Sequence, residues 1–252
     1  MDITILFPVL NEKLRLKKGI VTTAQYLREN CSIPYRLMIL DNGSTDETPR
    51  IARKLCEEYE EVTYVRIEQR GVGAAFREGI KRNESDIVGY MDIDLSTDIK
   101  YLGEAIRIFE SREDIEYING TRFHRESDTR GRKWYRKVTS KGLLILLQTV
   151  LGMKATDAVC GFTFMRKKVA DELVKISGND NGWFYTVEML LRAERMGVCV
   201  FDMPVEWQED YNTTVKVWKT VKNYMIQIKR LHREFGKEDR ANAKKDRSGK
   251  KL

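Results

Sequence analysis

Asp92, Ile93 and Asp94 set two carboxylates two residues apart at the end of an apolar run, Ile87 to Met91. On an extended chain that spacing points both side chains to one side, where two ionised carboxylates held out of water repel. A hard divalent cation removes the repulsion and leaves coordination positions for the oxygens of a diphosphate. A lone pair of this kind is common; its place after a strand and before Leu95-Ser96-Thr97-Asp98 makes it a metal candidate. A second acidic turn, Asp41 to Asp46, follows the apolar run Leu37 to Leu40. Asn42-Gly43 suits a turn, and Ser44 or Thr45 suits a helix cap, which leaves Asp41 free at the sheet edge to accept hydrogen bonds from a base or ribose. The turn and ligand roles are compatible. Gly71-Val72-Gly73 with Gly79 matches a GxGxxG loop only loosely and does not follow the first strand, which argues against a dinucleotide fold. It allows a helix N-terminus to approach either a nucleotide or the sheet.

These residues need a scaffold that brings strand ends together. Ile3 to Phe7, Leu37 to Leu40, Val62 to Ile67 and Ile87 to Met91 read as strands, with helices at about 13–30, 46–60 and 73–83 between them. Such alternation predicts an α/β fold with a largely parallel sheet and helices on both faces. Ligands then bind at the carboxyl ends of the strands, where Pro8 to Glu12, Asp41 and Asp92 to Asp94 fall. The second half is less regular: a helix near 99–111, a strand near 115–119, a helix from about 134 to 151, extended chain at 158–166, a helix at 183–196 and extended chain at 198–207. Leu143 to Leu147 make the 134–151 helix apolar nearly all round. Val217, Val221, Tyr224, Ile228, Leu231 and Phe235 recur at helical spacing with lysines off the stripe, which predicts a basic amphipathic helix over 214–235. That stripe fits a membrane, a partner or the core equally. The organisation expected is one domain over 1–213, this helix, and a disordered basic tail over 236–252.

The net charge of +7 is uneven. Eight Lys/Arg stand against two acids over 121–141, six against one over 214–235, and seven against three over 236–252, so the remainder is net acidic. Local basic patches suit a phosphate-rich partner or an anionic surface, although solubilising surface is the bland alternative. The four cysteines form no CxxC pair and there are only two histidines, so neither a zinc cluster nor a disulfide framework is indicated, which fits a reducing, cytoplasmic setting. Residues 1–10 lack signal-peptide features, and no apolar run approaches the roughly 20 residues that span a bilayer. The expectation is a soluble or peripheral protein.

Taken in order, the pieces resemble the family 2 glycosyltransferases, in particular the dolichol-phosphate mannose and glucose synthase branch. The matching residues are Pro8 with Asn11-Glu12, Asp41 to Asp46, Gly71 to Ala75, Asp92 to Ser96, and Gly120-Thr121-Arg122. They continue with Arg136 and Ser140, Asp157 to Phe162, Gly182-Trp183-Phe184 with Glu188, and Pro204 to Trp207. The resemblance implies a GT-A fold, a nucleotide-diphospho-sugar donor (GDP- or UDP-linked), Mg²⁺ or Mn²⁺, and a polyprenyl (dolichyl) phosphate acceptor at the cytoplasmic face of a membrane. It places Pro8, Asn11, Glu12, Asp41 and Gly71 at the nucleotide, Asp92 and Asp94 at ribose and metal, and Ser96 near the metal. Arg122, Arg136 and Ser140 fall where that branch meets the acceptor phosphate. Two departures stand out: Asn42 replaces a commoner second acid, and Thr214 stands where a basic residue is usual, with Lys216 as the substitute on offer.

A lipid phosphate arrives ionised and needs no general base, so arginines with Asp94 would carry the reaction. Asp157 is the reserve base should the acceptor be a hydroxyl; pairing with Arg122 or Arg136 is its structural alternative. Arg122, Arg132, Arg136 and Ser140 lie just before Leu143 to Leu147, as a phosphate lies beside its hydrocarbon chain. A soluble phosphorylated acceptor would use the same donor half. A nucleic-acid-binding role leaves the acidic cluster unexplained, and a nucleotidyltransferase lacks its Gly-rich basic loop after the first strand.

Overall fold

Short apolar runs ended by Pro or Asp become strands, and the amphipathic stretches between them become the helices that cover the sheet. The computed structural model describes residues 1–130, 134–208 and 217–249. In chain order the first elements are β1 (Ile3–Val9), α1 (Leu16–Asn30), β2 (Tyr35–Asp41), α2 (Thr48–Glu58), β3 (Val62–Arg66), α3 (Val72–Arg82), β4 (Ile87–Met91) and α4 (Lys100–Ser111). They are followed by β5 (Tyr117–Thr121), β6 (Asp128–Arg130), α5 (Trp134–Leu151), β7 (Phe162–Arg166), α6 (Lys167–Ile176), α7 (Phe184–Arg195), β8 (Val200–Pro204), β9 (Glu206–Gln208) and α8 (Val217–Gly249).

The main sheet runs β3-β2-β1-β4-β7-β5-β8. Its first four strands are parallel, β7 is antiparallel to both β4 and β5, and β5 and β8 are again parallel. Alternate residues of each strand feed opposite cores. Leu6, Leu40, Val88 and Tyr90 join the core shared with α3, α5, α6, α7 and α8, whereas Ile5, Phe7, Ile39 and Phe162 join the one beneath α1, α2 and α4. The chain progresses outward from β1 to β2 to β3 and then returns to the other side of β1 through α3. A crevice therefore opens at the carboxyl ends of β1, β2 and β4, at this switch in direction.

Three expectations change. Neither Ser44 nor Thr45 caps α2, which starts at Thr48; the Asp46 carboxylate receives the Thr48 N–H at 2.9 Å instead. Helix α6, not foreseen, buries Val169, Ala170 and Leu173 on one side. The disordered tail expected over 236–252 is replaced by helix as far as Gly249. Beyond Phe235 that helix is held to α7 by ion pairs from Glu238 to Arg192 and Arg195 and from Asp239 to Arg195. Its last turns are rich in Ala and Lys, which propagate helix well.

The helix at 134–151 and the striped helix, whose cover the stripe alone left open between membrane, partner and core, mostly face the protein. Tyr224, Ile228, Leu231 and Phe235 of α8 are buried in the core, with Tyr224 edge-on to Phe184 at 5.2 Å. Leu147 and Leu151 of α5 are buried, and Leu143, Leu144 and Leu146 pack against the same core. Ion pairs reinforce the α7–α8 contact. Wholly buried Glu188 accepts hydrogen bonds from Arg192 Nε at 2.9 Å, from the Gly178 N–H at 2.9 Å and from Arg230, and Arg192 also bridges to Glu234 at 2.8 Å.

Candidate active site

Two segments at the ends of β1 and β2 are clamped together by side chains. Asn11, at φ 58°, donates its N–H to Ser44 Oγ at 2.8 Å, and its Oδ1 accepts the Thr45 N–H at 2.8 Å. The Glu12 N–H reaches Thr48 Oγ1 at 2.8 Å, and the Asn42 N–H reaches the Val9 carbonyl at 2.9 Å. Asn tolerates the left-handed region better than most residues, so the Asn11 amide both permits the turn and fastens it. Pro8 lies in β1 beside Leu40.

Asp41 is not the free acceptor expected at the sheet edge. It is wholly buried, and its carboxylate takes the Ser44 N–H at 2.7 Å, the Tyr64 hydroxyl at 2.8 Å and Arg66 Nη1 at 3.1 Å. A carboxylate at the last position of a buried strand must be satisfied from its surroundings, and these three donors do so. Asp41 thus holds the shape of the Asn42–Ser44 turn and presents Arg66, which is half exposed.

Asp92 and Asp94 do converge. Asp94 Oδ1 receives both the N–H of Ser96, at 2.9 Å, and its hydroxyl, at 2.7 Å, while Arg15 Nη1 stands 3.6 Å from Asp94 Oδ2. Leu95 between them sits at φ 54°, a strained conformation for such a side chain, and the tight turn it makes returns Ser96 to Asp94. Ser96 therefore orients Asp94 in this structure. Asp92 contrasts with its neighbour: among the described residues no side chain or N–H donates to its carboxylate. Burial first, then the Asp94 charge, push its pKa up to about 7, and Arg122 only partly offsets them. Gly161 makes room for it, because a Cβ there would collide with the Asp92 carboxylate.

An oxygen-only pair with one under-satisfied member fits a hard divalent ion. Among the described residues no third carboxylate, His or Cys joins to form a closed metal cage. Mg²⁺ or Mn²⁺ held by one or two carboxylates takes its other ligands from water and phosphate, so an open pair is the donor set it requires. Asp92 also has a consequence for folding. Its native pKa of about 7 exceeds the ordinary 3.8, so between these values the folded chain holds a proton that the unfolded chain releases. Metal-free stability should therefore fall as pH rises from about 4 to about 7, by on the order of 4 kcal/mol, and Asp92→Asn should flatten the slope. Urea unfolding in EDTA across that range tests this, and parallel profiles for the two proteins would contradict it.

Arg122 and Asp157 form a buried pair. The guanidinium meets the carboxylate in a fork, Nε to Oδ2 at 2.7 Å and Nη2 to Oδ1 at 3.0 Å, while the N–H groups of Arg122 and Val159 add bonds at 3.1 Å each. Burial alone would raise the Asp157 pKa, but the Arg122 charge and these hydrogen bonds hold it below the usual carboxylate value. Asp157 is thus no base in waiting, and Arg122 is turned inward toward it rather than toward an acceptor. The pairing weighed as the alternative for Asp157 is the one found. Arg122 also stacks near Trp207, 5.4 Å from the ring.

Gly71, at φ 131°, stands at the N-cap of α3; a Cβ there would strike the backbone of Asn181. Its N–H goes to Asn42 Oδ1 at 3.1 Å, so the Asn that replaces the usual acid ties the glycine loop to β2. At Gly71 and Gly73 the loop lies against protein, and the Gly73 N–H goes to the Asn181 carbonyl at 3.0 Å. Arg136 and Ser140 lie one turn apart on one face of α5. Arg132 and Lys216 lie outside the described residues. Sequence reasoning missed Arg15, Tyr64 and Arg66. Arg15 follows Glu12 by three residues and pairs with it at 3.0 Å, a helix-start spacing that could have drawn notice; nothing local marks the other two.

This crevice, on this sheet, belongs to a sugar-transfer enzyme fold. Residues 4–174 match the family described as Glycosyl transferase family 2, and the chain is a member of that family. It is similar to glycosyltransferase AglD of Haloferax volcanii, at 29% identity over 91% of this chain and 37% of the relative. It is also similar to the dolichyl-phosphate beta-glucosyltransferase ALG5A of Trichomonas vaginalis, at 26% identity over 92% of this chain and 74% of the relative. The dolichyl-phosphate beta-glucosyltransferase of Mus musculus matches at 25% over 82% and 68%. The chain thus spans about a third of the length of AglD and more of the other two. Among solved structures, glucosyl-3-phosphoglycerate synthase of Mycobacterium tuberculosis, in complex with UDP, superposes with a TM-score of 0.66 at 19% identity, over 92% of this chain and 78% of that one. The same enzyme in complex with Mn²⁺ and UDP-glucose superposes at 0.65. The GT-A architecture expected from the sequence is the one observed.

Proposed function

We propose that this protein transfers a hexose from a nucleotide-diphospho-sugar to a polyprenyl phosphate, with inversion at the anomeric carbon. The observation that carries the reading is the Arg122–Asp157 pair. Asp157 accepts four hydrogen bonds and is held ionised below its usual pKa, so it is poorly suited to take a proton from an acceptor hydroxyl. A phosphate arrives already ionised and needs no such base. The similarity to dolichyl-phosphate glucosyltransferases supports the same acceptor class.

In this reading the strand-end clamp of Pro8, Asn11, Glu12 and the Asp41 turn, with Gly71 behind it, receives the nucleotide; Lys216 is a candidate for its phosphates. Asp92 and Asp94, the latter oriented by Ser96, would hold Mg²⁺ or Mn²⁺, which when bound stabilises charge on the departing nucleoside diphosphate. Arg136 and Ser140 would position the acceptor phosphate for attack from the opposite face. Arg122 acts behind them, fixing Asp157 and lowering the negative potential at Asp92. Binding of a panel of GDP- and UDP-sugars in the presence of metal distinguishes guanine from uracil as the base. The setting we infer is peripheral, on the cytoplasmic face; among the described residues no helix is long and apolar enough to cross a membrane.

Arg136→Ala should lower turnover on a polyprenyl phosphate by about a hundredfold while changing donor affinity less than threefold or so, since it removes a charge-assisted phosphate contact. The neutral polyprenol should be a poor acceptor even for the unmodified protein. Equal turnover of the alcohol and its phosphate, or full activity of Arg136→Ala, would sink the acceptor assignment. Preferential use of a soluble phosphorylated acid would replace the lipid with a different acceptor.

A further inference from the structure

The apolar stripe of α8 is spent on the core, and the face left outward has a different composition. From residue 221 to 240 its exposed charges are Lys222, Lys229, Arg233, Lys237, Glu238, Asp239 and Arg240. Glu238 and Asp239 are engaged by Arg192 and Arg195 of α7, as Glu234 is by Arg192 and Arg230, so the acids of this stretch are drawn to the α7 side. The cations remain on the outer side, interleaved with exposed Val221, Met225 and Ile226. On the neighbouring helix, α5 contains no acidic residue at all. Val138 and Ile145, each 60% exposed, fall on one face with exposed Trp134, beside exposed Lys137 and Lys141.

The two helices pack into the same core and touch each other, with the His232 ring against the Val150 carbonyl at 3.1 Å. Their outward faces thus lie on one side of the molecule, and both combine lysines with large apolar side chains. We propose that this joint face of α5 and α8 docks on an anionic lipid bilayer. The charge pattern selects the occupant. A second copy would bring cation against cation, and a nucleic acid has no use for Val138, Ile145, Met225 and Ile226. A bilayer surface takes both, with anionic headgroups meeting the lysines and the interfacial layer accepting the apolar side chains. The proposal rests on the lipid-acceptor reading only for its purpose, because Arg136 and Ser140 lie on the helix that would touch the membrane.

Sedimentation of the full chain with vesicles, without donor or acceptor, tests it independently of catalysis. Phosphatidylcholine vesicles containing phosphatidylserine should bind the protein, with affinity falling steeply as salt is raised, and pure phosphatidylcholine should bind it poorly. Lys222→Glu, Lys229→Glu and Arg233→Glu together should weaken binding by about a hundredfold or more. Val138→Ser, Ile145→Ser and Ile226→Ser together should weaken binding to the same vesicles about tenfold at unchanged net charge. Both variants should keep the parent's thermal unfolding and its turnover of a short, water-soluble polyprenyl phosphate. No binding to the anionic vesicles, or binding that neither triple variant alters, overturns the proposal. So does tighter binding to a DNA duplex that the glutamate variant abolishes while the serine variant leaves it intact.

Discussion

Asp94→Ala will leave the chain folded and remove metal-dependent donor binding. The side chain is partly exposed at the crevice, where it meets Ser96 and, at longer range, Arg15. Its removal takes away one of the charges that raise the pKa of Asp92, so the metal-free fold gains rather than loses near neutral pH. A lone Asp92 is a poor ligand set for Mg²⁺ or Mn²⁺, and donor affinity in Mn²⁺ should fall by at least about a hundredfold, to the level seen in EDTA. Ser96→Ala, which only loosens the orientation of Asp94, should cost about 10–100-fold in metal affinity. Calorimetry with a nucleotide-sugar, with and without Mn²⁺, reads both. Donor affinity unchanged in Asp94→Ala would remove the metal from Asp92 and Asp94 altogether.

The second large effect is on stability. Arg122→Ala should cost on the order of 3–5 kcal/mol, because it strands the ionised, wholly buried carboxylate of Asp157. Arg122→Lys should rescue little, since an ammonium cannot reproduce the two-pronged contact at 2.7 and 3.0 Å. Replacing both partners, as Arg122→Met with Asp157→Leu, should recover much of the loss, because the desolvation penalty disappears with the charges. Urea midpoints at neutral pH measure all three. An Arg122→Ala protein as stable as its parent yet inactive would return Arg122 to the acceptor phosphate, where the family resemblance had placed it.

The scaffold was legible because its signals are local. Apolar runs ended by Pro8, Asp41 and Asp92, with amphipathic stretches between them, determine strand, helix and parallel order within some thirty residues at a time. The crevice followed from that order. What sequence could not supply depends on side chains meeting across long separations. Arg122 and Asp157 stand 35 residues apart, and Asp41 meets Tyr64 and Arg66 on the next strand. Its place after a strand names Asp41, and the family resemblance names Asp157, but neither tells whether a donor has already claimed the carboxylate. The stripe on α8 was visible; its cover was not, because a periodic apolar face is the same against a core as against a membrane. The register of Glu238 and Asp239 with Arg192 and Arg195 was likewise invisible until α7 and α8 were in contact, so the stretch beyond Phe235 read as tail.

The buried seam between α7 and α8 bears on how far this enzyme can be taken apart. The family match ends at residue 174, before either helix begins. A boundary drawn there by shared motifs is not one at which the polypeptide can be cut. Excision at that point would uncover Tyr90, Tyr117 and Met165, which share a core with Phe184, Tyr185, Leu190 and Ile228. A cut after α7 would instead leave Glu188 buried without Arg230. Chimaeras that exchange parts between such enzymes should therefore carry α7 and α8 as one inherited unit with the sheet.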